Sequence, residues 1–146
     1  TLNSACYENF DAAIFDSEVN LLIISGEKDD STPASSCVIM ADKLLANGND
    51  VTHYIHPDGH HNFFLNYIKN EGFHSKSKYI IPNCSIGLTS NLHQTLTVRE
   101  NGETQEVTPN NRKSILKECL GQGHINRTSK YGEQTIISLI DKFVRQ

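Results

Sequence analysis

Apolar and polar positions follow different periods along the 146 residues, and each change of period marks an element. Leu21 to Ser25 is a nearly unbroken apolar run rich in branched side chains, the pattern of a strand covered on both faces. Gly26 ends it and opens an acidic turn that carries Glu27, Lys28, Asp29 and Asp30. Ser31 or Thr32 then offers a helix cap, with Pro33 at the first helical position. Cys37, Met40, Ala41, Leu44 and Leu45 recur at helical spacing until Gly48 supplies a stop. Val51 to His56 is a second strand, so residues 21–56 predict a βαβ unit with parallel strands. Pro57 and Gly59 turn the chain at the carboxyl edge of that sheet, where open α/β sheets build their sites.

Outside this unit the periods are weaker. Residues 1–19 place Cys6, Tyr7 and Phe10 in a mixed polar stretch. Residues 64–92 show no regular pattern beyond a short helical stretch near Asn62–Asn70. His93 to Val107 reads as a hairpin, TLTV and ETQEV about ENG, with Asn101-Gly102 as a type I′ turn. Its many polar side chains predict a surface appendage. A helix follows around Arg112–Leu120, then a loop through Gly121, Gly123 and Asn126. Glu133 to Val144 predicts a terminal helix with a wide apolar face, built from Ile136, Ile137, Leu139, Ile140, Phe143 and Val144. There is no internal repeat and no low-complexity tract.

A chain of this length fits one domain and can bury a real core. With 13 basic against 17 acidic side chains the net charge is -4, which argues against a nucleic-acid partner. No apolar run approaches the roughly 18 residues of a membrane span, and no signal-peptide pattern opens the sequence. The first residue is Thr1 rather than Met, the mark of a processed, truncated or incomplete chain. Cys6, Cys37, Cys84 and Cys119 are widely spaced and form no CxxC pair, which disfavours a structural zinc site or a thioredoxin-like redox motif. They are either buried thiols or two disulfides in an oxidising compartment, with three possible connectivities. Cys6–Cys37 with Cys84–Cys119 is the preferred pairing, because each bond would fasten a loop to a helical segment. Asn83 and Asn126 each begin a glycosylation acceptor tripeptide, a pattern too common to decide anything.

The candidate chemistry sits at the two turns of the βαβ unit. Asp29 follows the first strand, and His61 follows the second one unit later. A carboxylate can hold one imidazole nitrogen and fix its tautomer while the other nitrogen takes a proton from a Ser or Cys nucleophile. Seen singly, Asp29 reads as a turn or cap residue and His61 as a surface histidine; the pairing gives them a joint role.

Three segments, GEKDDSTPASSC, LLANGNDV and YIHPDGHHNF, resemble the C-terminal half of the dienelactone hydrolase family. That family carries a G-x-x-D-x-x-x-P turn after the penultimate strand and an H-G-F-like turn after the last. CYENF upstream and Cys119-Leu-Gly downstream are similar to its extracytoplasmic members. The likeness covers most of the chain, strongest over residues 21–63 and weaker after Phe73. It implies a serine or cysteine hydrolase of esters or lactones, with Asp29 as triad acid and His61 as base. Asp30 and His60 are the fallback residues. Asn62 stands where the family has Gly, a departure beside the imidazole.

A larger departure is the absence of any G-x-S-x-G or G-x-C-x-G nucleophile elbow in the sequence. Ser4 and Cys6 lie in NSACYEN, without the small residues that turn requires, and Cys37 falls inside a helix. The chain alone is therefore not expected to catalyse acyl transfer. Residues 1–146 read as the C-terminal portion of one α/β-hydrolase domain, a mostly parallel sheet with flanking helices. Residues 20–60 supply the last two strands, 130–145 a covering helix, and 64–129 a hairpin-containing extension that forms a lid or wall.

No cofactor is implied. The expected partners are a small ester or lactone and either the missing N-terminal half or a second copy, pairing through a first strand whose edge and apolar face would otherwise lie bare. The expected compartment is periplasmic or secreted if the disulfides form, and cytoplasmic otherwise. A non-catalytic α/β-hydrolase-like module that binds or dimerises is the alternative. A metal site built from His53, His56, His60 and His61 is disfavoured, because positions 53 and 56 point to opposite faces of a strand.

Overall fold

A computed structural model describes residues 2–3, 6–30, 32–61, 63–64, 75–77, 82–121, 124–126 and 132–145. In chain order the elements are β1 (Leu2–Asn3), β2 (Leu21–Gly26), α1 (Ala34–Ala46), β3 (Val51–His56), β4 (Ser75–Ser77), β5 (Cys84–Leu88), β6 (Gln94–Val98), β7 (Thr104–Glu106), α2 (Arg112–Cys119), β8 (His124–Asn126) and α3 (Gly132–Val144). The fold is mixed α/β. Parallel pairing is confined to β1-β2-β3, while β4-β8 and β5-β6-β7 are antiparallel. The mostly parallel sheet expected of the C-terminal portion of an α/β-hydrolase domain is thus corrected: the later strands pair with one another and leave the parallel sheet small.

The apolar run of β2 is what makes its sheet two-sided. Successive side chains of a strand point to opposite faces. Ile23 accordingly enters a core beneath α1 with Cys6, Phe10, Cys37, Met40 and Leu44. Leu22 and Ile24 face the other way, against Phe63 and against Ile136, Leu139 and Phe143 of α3. Burial of each such side chain contributes roughly 1.5–3 kcal/mol. Only half of the apolar face of α3 is used in this way; Ile137, Ile140 and Val144 stay exposed. β1 pairs with Ile23 and Ile24, so the edge of β2 expected to be bare is partly covered, and neither face of β2 is uncovered.

Helix α1 starts one residue later than the sequence suggests. Pro33 is its N-cap, without a side-chain capping bond, and the Thr32 N–H turns back to Asp29 Oδ1 at 2.8 Å. Ser31 lies outside the described residues. At the other end Asn47 caps the helix, and Gly48 takes φ +93°, the left-handed conformation that glycine adopts without cost.

Among its described residues, the second half carries more regular structure than its sequence implied. The hairpin strands β6 and β7 belong to a three-stranded sheet rather than an appendage, because Leu96 packs with Cys84, Ile115 and Cys119 in a second core. Thr95, Thr97, Thr104 and Glu106 occupy the other face. The turn is not type I′: Gly102 has φ +72° but Asn101 is not left-handed, and a longer loop is closed by Val98 N–H to Glu103 O and Gly102 N–H to Val98 O. β5 falls in the stretch that showed no period, as does β4, whose pairing with β8 extends strand structure through Asn126. Most of the short helix expected near 62–70 lies outside the described residues; Phe63 and Phe64 form a turn.

Both preferred disulfides are present, Cys6–Cys37 and Cys84–Cys119. Residues 6–9 join the two halves. Cys6 is bonded to α1; Asn9 bridges Gly87 of β5 and its side chain donates to Ser85 and Thr97 hydroxyls, each at 3.1 Å. Glu8 accepts from Ser36 of α1 and from Arg99 of the hairpin loop. Burial raises the Glu8 carboxyl, but those hydrogen bonds and the charges of Arg99 and Lys43 prevail and hold it below the ordinary carboxylate value.

Candidate active site

Two turns meet at the carboxyl ends of β2 and β3, and backbone groups join them. Glu27 N–H donates to His56 O at 3.0 Å and Lys28 N–H to Gly59 O at 2.8 Å. An ion pair between Lys28 and Asp58 lies over the outside of the same junction. Each turn therefore fixes the other, and the residues they carry are brought into register.

Those residues include Asp29 and His61. The His61 ring meets the Asp29 carboxylate through Nδ1, 3.0 Å from Oδ2 and 3.2 Å from Oδ1. Their side chains are only 16% and 9% exposed, so the pair is largely withdrawn from water, where a charge-assisted hydrogen bond is stronger. Asp29 Oδ1 also accepts the Thr32 N–H, which ties the carboxylate to the start of α1. A carboxylate against Nδ1 favours the tautomer protonated on that nitrogen.

Asp30 lies elsewhere. It lines a cleft of about 330 Å³ with Glu8, Thr32, Ser36, Ile39 and Arg99, between the start of α1 and the second sheet. Neither Asp29 nor His61 lines that cleft. His60 is half-buried, and its carbonyl accepts the Phe63 N–H at 3.2 Å.

The remaining histidines of this region divide by face, as strand alternation requires. His56 stacks on Phe63 with ring centroids 4.5 Å apart and planes inclined by 2°, and lies near the Tyr54 hydroxyl. His53 is on the α1 side, with Nε2 2.9 Å from Ser25 Oγ. Burial pushes both imidazoles below the ordinary value, opposed by Asp58 at His56 and by Asp42 at His53. Among the described residues no cluster of three or more His, Cys, Asp or Glu is arranged to hold a metal ion.

The Ser25–His53 contact escaped the sequence reading, although a Ser closing one strand and a His on the next could have suggested it. Ser25 is only 6% exposed, so this pair is largely withdrawn from solvent. Also missed were the stack of His56 on Phe63 and the contact of Gly26 with Gly59. Their signal was weak: one aromatic residue two positions past His61, one glycine closing β2 and one in the turn that follows β3.

Compared with protein-family models, curated proteins and solved structures, the chain matches none. No helix among the described residues is long and apolar enough to cross a membrane.

Proposed function

We propose that this chain supplies the acid and base of a nucleophile–His–Asp hydrolase acting on carboxylic esters or lactones, in the manner of the dienelactone hydrolases it resembles. The observation that carries the proposal is the 3.0 Å contact of His61 Nδ1 with Asp29 at the carboxyl edge of adjacent parallel strands. In this mechanism a hydroxyl or thiol attacks the carbonyl carbon while His61 Nε2 takes its proton. Collapse of the tetrahedral adduct expels the alcohol, which takes that proton back from His61. Water then attacks the acyl intermediate by the same route, and Asp29 holds the imidazolium in each half. No cofactor takes part.

The nucleophile is assigned to residues outside these 146, because the sequence has no elbow motif and all four cysteines are bonded to one another. The same observation favours one alternative, a non-catalytic module of α/β-hydrolase type that binds ligand or dimerises. The disulfides support an oxidising compartment, periplasmic or extracellular. The two readings separate on intact mass of the protein made from its whole gene, treated with a fluorophosphonate. The hydrolase reading with a hydroxyl nucleophile expects one adduct, lost in His61→Ala; a protein that takes no adduct and hydrolyses no ester or lactone favours the module.

A further inference from the structure

The junction of the two turns contains one contact with no room for a side chain. A Cβ on Gly26 would lie 2.3 Å from Gly59 O and 2.7 Å from Gly59 C, with His60 O at 3.1 Å. All three are backbone atoms, so no side-chain rotation could relieve the overlap. Gly26 is not left-handed; Gly48 and Gly102 are the glycines with positive φ among the described residues. What position 26 requires is therefore closeness and not conformational freedom. The backbone that would be pushed away is the segment 59–60, immediately before His61. On the near side, Asp29 is tied to Gly26 O through its own N–H at 3.2 Å.

We propose that Gly26 is a positioning residue for the Asp29–His61 pair: by letting the two turns touch at Gly59, it sets the distance between carboxylate and imidazole. This deepens the hydrolase reading and rests on it for its meaning in catalysis, while the geometry can be tested without catalysis. A comparable crowded glycine supplies the control. A Cβ on Gly87 would lie 2.3 Å from Asn9 O and 2.5 Å from Thr95 Oγ1, at the joint between residues 6–9 and β5, with neither Asp29 nor His61 among its three nearest contacts. Gly59 gives a milder perturbation of the same junction, with its nearest contacts at 3.0 Å to Gly26 Cα and 3.1 Å to His56 O.

The experiment is proton NMR of the protein from its whole gene, ¹⁵N-labelled at histidine, observing the His61 Nδ1–H. Held against a carboxylate and largely withdrawn from water, that proton is expected to be protected from exchange, and Asp29→Asn provides the reference for its loss. Gly26→Ala is expected to abolish the protected resonance and Gly87→Ala to retain it, whatever each does to stability. If Gly26→Ala does not fold, Gly59→Ala takes its place, with a displaced or weakened resonance expected. Retention of the unaltered resonance in the folded junction variant overturns the proposal, and so does equal loss in Gly87→Ala. Ester hydrolysis is followed in parallel; its absence from the unsubstituted protein would overturn the hydrolase reading and leave the positioning result standing.

Discussion

Removal of the Cys6–Cys37 disulfide by the double substitution Cys6→Ala/Cys37→Ala should cost the protein a large part of its stability. The bond spans a sequence separation of 31 residues, and closing a loop of that size in the unfolded chain corresponds to about 3.7 kcal/mol. Both cysteines are buried in the core beneath α1, so deleting their sulfurs adds a cavity cost of the same sign. The closed loop contains β2 and the turn bearing Asp29 but not β3 or His61, so the variant loosens the acid-bearing limb more than the base-bearing one. It also removes the covalent tie of residues 6–9 to α1 and leaves the hydrogen bonds of Glu8 with Ser36 and Lys43, while Glu8 and Asn9 hold the second half through Arg99 and Gly87. Equilibrium urea unfolding measures the effect. With a denaturant slope of roughly 2 kcal/mol per molar, the midpoint should fall by about 1.8 M. A fall below about 0.5 M, with the slope unchanged, would refute the claim that this bond constrains the chain.

Other substitutions test neighbouring parts of the account. Phe63→Ala removes a ring buried against Leu22 and Ile24 and stacked on His56, and should destabilise by roughly 3–5 kcal/mol in the same unfolding assay. Asn9→Ala deletes two side-chain hydrogen bonds to the second sheet and should cost about 1–3 kcal/mol, together with faster amide exchange in β5. His53 and His56 are held below the ordinary imidazole value of 6.5, so the unfolded chain takes up protons first. Their contribution is complete above that value and is lost as the pH falls through the depressed folded-state values. Urea midpoints between pH 7.5 and pH 5 should fall, and the fall should be smaller when both are replaced by Gln.

Much of the parallel unit is legible because its signals are local. Leu21–Ser25 and Val51–His56 are too apolar or too regular to be anything but strands, and Gly48 marks the end of α1 with a conformation few other residues adopt. The Asp29–His61 contact was anticipated because both residues lie just past the ends of neighbouring strands. The second half was harder to read. β5 interrupts its apolar run with Ser85 and Gly87, and what makes it a strand is pairing with β6 on one side and with Asn9 on the other. Nothing in its own pattern states that. The turn at 99–102 was misread for a related reason. Asn101-Gly102 favours a two-residue loop in isolation, but the pairing of Thr97 with Thr104 and of Val98 N–H with Glu103 O leaves four residues to turn. At α1 the cap was misplaced because Thr32 belongs to the preceding turn, its N–H bonded to the Asp29 carboxylate, and Pro33 caps the helix.

The most direct test of the central claim is the initial rate of hydrolysis of a short-chain aryl ester and of a simple lactone by the protein from its whole gene. It should be compared with its Asp29→Asn and His61→Gln variants, each first shown by circular dichroism to be folded. If Asp29 and His61 are acid and base of a triad, Asp29→Asn should lower kcat by roughly 10⁴-fold and His61→Gln by roughly 10⁶-fold, with little change in KM. Rates within about twofold of the unsubstituted protein in folded variants would contradict the account.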